Sequence, residues 1–184
     1  MSEYWKDVIV ALLGAGGVFV TLLNVVVKYL EKKKREDAIN NTNPTEYLMK
    51  VLSGTKAVRC IVLRKTNGTG LPYVHIEHEV YDGTVNPVLK DFQGVEMDKH
   101  YQSMIENLTV AKEVTFKVES LNPESILRMV YERDSLTDIV LFEVGRMDGV
   151  YRYGSFASRE PFSRDEKLIM KLAVRSIKQV YRKR

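Results

Sequence analysis

Cysteine is almost absent from this sequence, because Cys60 is the only one among 184 residues. An internal disulfide is therefore excluded, which agrees with a reducing compartment. Cys60 lies within an apolar run, so we expect a buried structural thiol and no nucleophile. No serine lies in the Gly-x-Ser-x-Gly pattern of a nucleophile elbow. Gly68 and Gly70 are not followed by Gly-Lys-Ser/Thr, so no phosphate-binding P-loop is predicted.

Histidine is also scarce, with three in the chain. His75, Glu77 and Glu79 alternate along a predicted strand and would line one of its faces, while His78 would pack on the other. His100 lies on a predicted helix and is expected at the surface. Three groups on one strand do not complete a coordination shell, and the sequence has no second cluster of His and Cys. We therefore predict no metal site, no catalytic residue and no enzymatic activity.

The longest apolar run covers residues 8–27 and contains no charged residue. At roughly 1.5 Å per residue, such a helix matches a hydrocarbon core of about 30 Å. We predict a short extracytoplasmic segment over residues 1–7 and a transmembrane helix over residues 8–30. A cleaved signal peptide is disfavoured because the run has no basic excess before it and a basic run after it. The residues predicted to form the span include Val8, Leu12, Leu13, Val18, Phe19, Leu22, Leu23 and Val27.

Basic residues around this run predict its orientation. Lysine and arginine near a span are kept preferentially on the cytoplasmic side, and only Lys6 precedes the run. Residues 31–43 then form a basic juxtamembrane linker, with everything after it cytoplasmic and the span in the inner (cytoplasmic) membrane. The cations that follow the run and are predicted to contact anionic lipid are Lys28, Lys32, Lys33, Lys34 and Arg35.

Small side chains fall on one broad side of the predicted span. Small residues let two helices approach closely, and an amide can hydrogen-bond across such a contact. Small residues that face lipid are also common, so this pattern alone leaves both arrangements open. The predicted helix–helix contact residues are Ala11, Gly14, Ala15, Gly17, Thr21 and Asn24. We expect a homo-oligomer.

Residues 44–184 are enough for one domain with its own core. Asn, Pro, Thr and Glu at residues 43–46 are typical of a helix start, and so are Asn and Pro at residues 122–123. Asp134 and Asp138 flank a loop and are interpreted as caps. Asp148 and Gly149 favour a tight primed turn between two strands. The predicted order is helix 44–52, strands 57–65 and 73–81, irregular segment 82–94, helix 97–108, strand 113–119, helix 122–133, strands 138–145 and 150–157, and a final helix from residue 163.

The final helix begins with a capping box, Ser163 to Glu166. Its predicted apolar face contains Leu168, Ile169, Leu172, Ala173, Ser176, Ile177 and Val180. A basic stripe on the opposite face contains Lys167, Lys171, Arg175, Lys178 and Arg182. Such a stripe is either a solvated face or a contact with an anionic surface. For the latter, we predict that Lys171, Arg175, Lys178 and Arg182 contact anionic lipid, since no aromatic stacking motif accompanies them and nucleic acid is not indicated.

Strands joined by tight turns, with helices at both ends, predict an α+β fold with an antiparallel sheet flanked by helices. The sequence resembles a GAF domain at three places: residues 138–145 resemble its penultimate strand, residues 148–154 its hairpin and last strand, and residues 161–169 the start of its closing helix. The resemblance covers residues 44–184 in the order of elements. It implies a small-molecule-sensing fold related to PAS domains, in which terminal helices often pair.

The chain also departs from the GAF pattern. Arg152 stands in the last strand where the family tends to have small or apolar residues. No Asn-Lys-x-Phe-Asp-Glu pattern of cyclic-nucleotide-binding members is present, and no cysteine lies where a bilin would attach. We therefore predict no resident cofactor and leave an unidentified small-molecule ligand open.

Together these observations predict a non-enzymatic, single-pass membrane protein. Its GAF-like domain would sense a signal or recruit an unidentified protein partner at the cytoplasmic face. The expected partners are the membrane and a second copy of the chain, and not nucleic acid. The alternative prediction is a phage or viral membrane protein, either a structural component of a membrane-containing particle or a holin-like lysis factor.

Overall fold

The computed structural model describes residues 43–67 and 71–183. The predictions made for residues 1–42 lie outside this part of the chain: the transmembrane helix, its small-residue face and the cations of the juxtamembrane linker. Among the described residues, no helix has the length and apolar character needed to cross a bilayer. Residues 43–184 form a compact unit of their own.

The described residues form helices on both sides of one six-stranded sheet. In chain order the elements are α1 (Pro44–Gly54), β1 (Arg59–Thr66), β2 (Tyr73–Tyr81), β3 (Gln93–Glu96), α2 (Lys99–Ala111), β4 (Glu113–Lys117), a 3-10 turn (Val118–Ser120), α3 (Ile126–Arg133), β5 (Asp138–Met147), β6 (Val150–Ser158) and α4 (Arg164–Arg182). All strand pairs are antiparallel, in the order β3-β2-β1-β6-β5-β4. The predicted α+β class is therefore confirmed.

Two local signals produce the structure that they predict. Asp148 and Gly149 join β5 to β6 with φ values of 52° and 76°, as a type I′ turn requires. At the start of α4, Glu166 N donates to Ser163 Oγ, while Ser163 N donates to the Glu166 carboxylate. This reciprocal pair is the predicted capping box.

The start of α3 differs from its prediction. Asn122 was expected to cap the helix, with Pro123 in its first turn. Instead, Ser125 caps α3 by accepting from Leu127 N. The Asn122 side chain accepts from Glu124 N, so this segment forms a separate turn before the helix.

One strand was missed in the segment predicted to be irregular. β3 is four residues long, begins within that segment at Gln93 and pairs with β2. Its Gly94 has φ 75° and lies beside a shift in register, so the strand lacks a regular alternation that a sequence pattern would display.

The two faces of the sheet carry separate cores. α1 and α4 cover one face, which we call the α4 face, and its core includes Cys60, Val62, Phe142, Phe156, Met170 and Ile177. α2, α3 and the segment 82–92 cover the other face, which we call the α2 face. The core of the α2 face includes Ile61, Leu63, Tyr101, Leu108, Tyr131, Leu141 and Tyr153.

The buried side of α4 is rotated from the predicted one. Ala173, Ile177 and Val180 are buried as expected, but Leu168 and Leu172 are 53% and 51% exposed. The buried side is completed by Met170, Val174 and Tyr181. At 100° per residue, the buried side is rotated by about a quarter turn from the predicted one, and Leu168 and Leu172 lie nearly half a turn from its middle. α4 therefore has three sides: buried, basic and exposed apolar.

Candidate functional site

The polar residues of β2 do not share one face as predicted. Val62 on β1 is opposite His78, but the next residue, Leu63, is opposite Ile76, so Glu77 is an extra residue in the strand. This β-bulge resets the alternation of side chains. Glu77 and His78 both contact elements of the α4 face, whereas Glu79 lies on the α2 face beside Arg59.

Glu77 is the centre of a polar cluster on the α4 face. Arg152 Nε and Nη2 donate to the two oxygens of its carboxylate at 2.8 and 3.1 Å. The Tyr181 hydroxyl donates to Glu77 Oε2 at 2.8 Å, and the Arg152 guanidinium lies 4.5 Å from the centre of the Tyr181 ring. Arg152, where the sequence departs from the GAF pattern, thus has a structural role: it links β6 and β2 to the end of α4.

Glu77, Arg152 and Tyr181 line an open cleft of about 390 Å³, and Arg64 and His78 also line it. Burial opposes ionisation of Glu77, but hydrogen bonds from Arg152 and Tyr181 and the charges of Arg152 and Arg64 outweigh it. The pKa of Glu77 therefore lies below its ordinary value. His78 Nδ1 lies 3.2 Å from Thr45 Oγ1, which links α1 to the same strand. His75 lies apart, with Nε2 3.2 Å from Thr66 Oγ1.

A second charged cluster is buried on the α2 face. Arg59 is 1% exposed, and its Nη2 donates to Asp134 Oδ2 at 2.6 Å and to the Asn86 carbonyl at 2.5 Å. Arg59 Nε lies 3.4 Å from Glu79 Oε1. The Glu79 carboxylate also accepts from Val88 N. The interpretation of Asp134 as a cap was incomplete, since its carboxylate pairs with a buried cation.

This second cluster fastens the segment 82–92 and the end of α3 onto the sheet. The interior beneath them is nearly filled, with a cavity of about 10 Å³ beside Arg59. Hydroxyl groups there are paired, as in Tyr101 with Tyr153 at 2.8 Å and Tyr131 with Ser155 at 3.3 Å. Ligand sites usually need about 300–1,000 Å³, so this interior does not hold a ligand in the present conformation.

The remaining sequence-predicted residues have simple environments. Cys60 is buried, as predicted, and burial raises the pKa of its thiol far above the ordinary range. His100 is exposed, also as predicted. Within residues 43–67 and 71–183, no group of three or more His, Cys, Asp and Glu side chains is arranged to hold a metal ion.

The predicted lipid-contacting cations of α4 are not equivalent. Lys171, Arg175 and Arg182 are exposed, whereas Lys178 is half-buried against β5. Lys167, from the same stripe, donates to Thr115 Oγ1 on β4 at 2.9 Å. The stripe therefore borders the sheet on one side. On the other side of α4, Leu168 and Leu172 extend to solvent, and α1 adds the 52% exposed Met49.

Solved structures with a similar fold are numerous. A GAF domain/HD domain protein from Geobacter sulfurreducens is 14% identical, with a TM-score of 0.57 over 78% of this chain and 94% of that chain. The GAF domain of a two-component sensor histidine kinase from Bacillus halodurans is 9% identical, with a TM-score of 0.54 over 75% of this chain and 92% of that chain. The described domain has a GAF-like fold.

A third similar structure is the chromophore-binding domain of a bacteriophytochrome from R. palustris. It is 10% identical, with a TM-score of 0.52 over 85% of this chain and 61% of that chain. No protein-family model matches the sequence, and no curated protein matches it. The predicted GAF-like fold is confirmed. Membrane anchoring and partner recruitment stay predictions, and nothing in these similarities supports the phage or viral alternative.

Proposed function

We propose that this protein is a non-enzymatic, membrane-anchored protein whose GAF-like domain works at the cytoplasmic face through protein association. The observation that carries the proposal is the exposed apolar side of α4, formed by Leu168, Ile169 and Leu172, together with the exposed Met49 on α1, the helix that packs against α4. Leu172 lies three and four residues from Ile169 and Leu168, so these side chains are neighbours on the helix, and clustered exposed apolar residues are typical of protein–protein contacts. We call these four residues the α1/α4 ridge.

The filled interior supports the same proposal. The cavity beside Arg59 is about 10 Å³, so a ligand enclosed there would have to displace packed side chains. The α1/α4 ridge, in contrast, is exposed to solvent and can be covered by a partner without any repacking of the interior. A second copy of the chain is the partner that we propose for the ridge, because two copies of one helix side bury the same apolar residues symmetrically.

The first test is self-association of residues 43–184. Leu172→Glu is expected to weaken self-association at least tenfold, because a carboxylate placed in an apolar contact is desolvated without a partner. Sedimentation at increasing protein concentration measures the change. Val110→Glu is the matched control, since Val110 is 82% exposed on α2, outside the ridge. The proposal would be contradicted if the unaltered domain stays monomeric at high concentration, or if both variants weaken self-association equally.

The membrane anchor is supported by sequence alone: the uncharged run over residues 8–27 and the cations from Lys28 to Arg35. We expect the full chain to remain in the membrane fraction after washing with high salt and carbonate, and residues 43–184 to be released. Release of the full chain by the same wash would overturn the anchor. The control is the full chain with Lys32, Lys33, Lys34 and Arg35 changed to Gln, which should stay in the membrane if the span itself provides the anchor.

A further inference from the structure

Three side chains form a row across the middle of the sheet on its α2 face. Tyr151 on β6 is directly opposite Lys65 on β1 and, on its other side, Arg146 on β5. Side chains directly opposite each other on neighbouring strands project from the same face, roughly 4.5–5.5 Å apart. A phenol is therefore flanked by two cations.

This row forms one wall of a cleft of about 350 Å³. α2 contributes Ile105, Glu106 and Thr109 to the cleft, and the β5–β6 turn contributes Gly149. The volume lies within the range of small-molecule sites, about 300–1,000 Å³. Unlike the interior beside Arg59, this cleft has room for a ligand without repacking.

The Tyr151 hydroxyl is a buried group without a partner. Tyr151 is 6% exposed, and its hydroxyl forms no hydrogen bond to any described residue. Burial, together with the negative charge of Glu143, raises the pKa of Tyr151, so the hydroxyl keeps its proton and remains a donor. An unpaired buried donor destabilises a fold unless something else accepts from it.

The two cations beside Tyr151 also lack an ion-pair partner among the described residues. Within the described part of the chain, neither Lys65 nor Arg146 forms an ion pair, and Arg146 is exposed. Their long side chains start on either side of the phenol and reach the same cleft. Three side chains that carry hydrogen-bond donors, from three strands, therefore line one cleft, as an acceptor with several oxygens requires.

We propose that Lys65, Tyr151 and Arg146 bind the phosphate group of a small molecule in this cleft. A phosphate offers three acceptor oxygens and favours arginine and lysine together, whereas a carboxylate offers two. Glu106 and Asp148 also line the cleft. Their charges would repel a second anionic group on the ligand, so the group attached to the phosphate is neutral or cationic.

Calorimetric titration of the purified full chain with inorganic phosphate tests this site. We expect saturable binding that Lys65→Gln and Arg146→Gln each weaken at least tenfold. Arg175→Gln is the matched control, because Arg175 is an exposed cation of α4 on the other face, and it should leave the affinity unchanged. Acetate should bind at least tenfold more weakly than phosphate.

Tyr151→Phe separates binding from folding, because it removes only the unpaired hydroxyl. Without phosphate, this variant should unfold at the same temperature as the unaltered chain or higher, since a buried unsatisfied group is lost. Its phosphate affinity should fall about tenfold, as expected for losing one hydrogen bond to a charged group. A drop in unfolding temperature with unchanged affinity would show a purely structural hydroxyl and overturn the proposal.

The remaining outcomes are also decisive. No saturable phosphate binding, affinity that survives Arg146→Gln, or acetate binding as tight as phosphate would each overturn the site. Soluble glycerol phosphate and vesicles containing phosphatidic acid distinguish a free metabolite from a lipid headgroup: the ligand of the site is the one that binds more tightly and whose binding Arg146→Gln weakens at least tenfold. The inference does not depend on self-association, because Leu172 lies on the other face and Leu172→Glu should leave phosphate affinity unchanged.

Discussion

Replacing Arg59 with alanine is expected to lower the free energy of unfolding of the domain by about 3–5 kcal/mol, the usual cost of removing one partner from a buried ion pair. The Arg59 guanidinium lies 2.6 Å from Asp134 and 3.4 Å from Glu79, and all three side chains are at most 3% exposed. Without the cation, two carboxylates remain buried together. The Asn86 carbonyl also loses its donor, so the segment 82–92 should loosen as well.

Urea unfolding of residues 43–184 measures this effect. Arg133→Ala is the matched control: Arg133 contacts the same Asp134 carboxylate at 3.3 Å, but its side chain is 46% exposed. Exposed pairs contribute about 0–1 kcal/mol, so the control should change stability little. A loss below about 1 kcal/mol for Arg59→Ala, or an equal loss for both variants, would show that the buried cluster does not hold the fold together.

Arg152→Ala is expected to destabilise the domain by about 2 kcal/mol, in the range of charge-assisted hydrogen bonds. Arg152 binds both oxygens of Glu77 and stacks on Tyr181, and the two charged side chains are only 13% and 16% exposed. Arg64→Ala is the matched control, because Arg64 lies 4.0 Å from the same carboxylate and is 41% exposed. Thermal and urea unfolding should both place the control within about 1 kcal/mol of the unaltered domain.

The Arg152 prediction includes a definite pH dependence. The pKa of Glu77 is lower in the folded state than its ordinary value of about 4.3. A lowered folded pKa stabilises the fold above the unfolded pKa, and the stabilisation is lost as pH falls through the folded value. The stability difference between the unaltered domain and Arg152→Ala should therefore be full at pH 6–7 and shrink below about pH 4. A difference that is constant from pH 7 to pH 3 would exclude the Glu77 carboxylate as its origin.

Local signals predicted most of the elements. The turn at Asp148 and Gly149 needs two residues that tolerate positive φ, and the capping box at Ser163 joins residues three apart. Both motifs involve only neighbouring residues, so a sequence suffices to find them. The four-residue β3 has no such signal, because its pairing with β2 is what makes it a strand.

The candidate sites could be predicted only in part. The alternation along β2 predicts that His75, Glu77 and Glu79 share one face, but the bulge at Glu77 assigns Glu77 and Glu79 to opposite faces. A bulge depends on how the neighbouring strand is registered, which residue spacing along β2 does not contain. The sequence does not predict that the Arg59 charge is buried, because its partner Asp134 is 75 residues away along the chain.

The sequence by itself determined the α+β class, the hairpins, the closing helix and the GAF-like resemblance, because these follow from hydrophobic spacing and short-range capping. The tertiary structure alone decided which side of α4 is buried. Leu168 and Leu172 match Ile177 in hydrophobicity, and only the position of α1 and the sheet leaves the first two exposed. It also brought Lys65, Tyr151 and Arg146 into one row, since strands distant along the chain become neighbours only when the sheet forms.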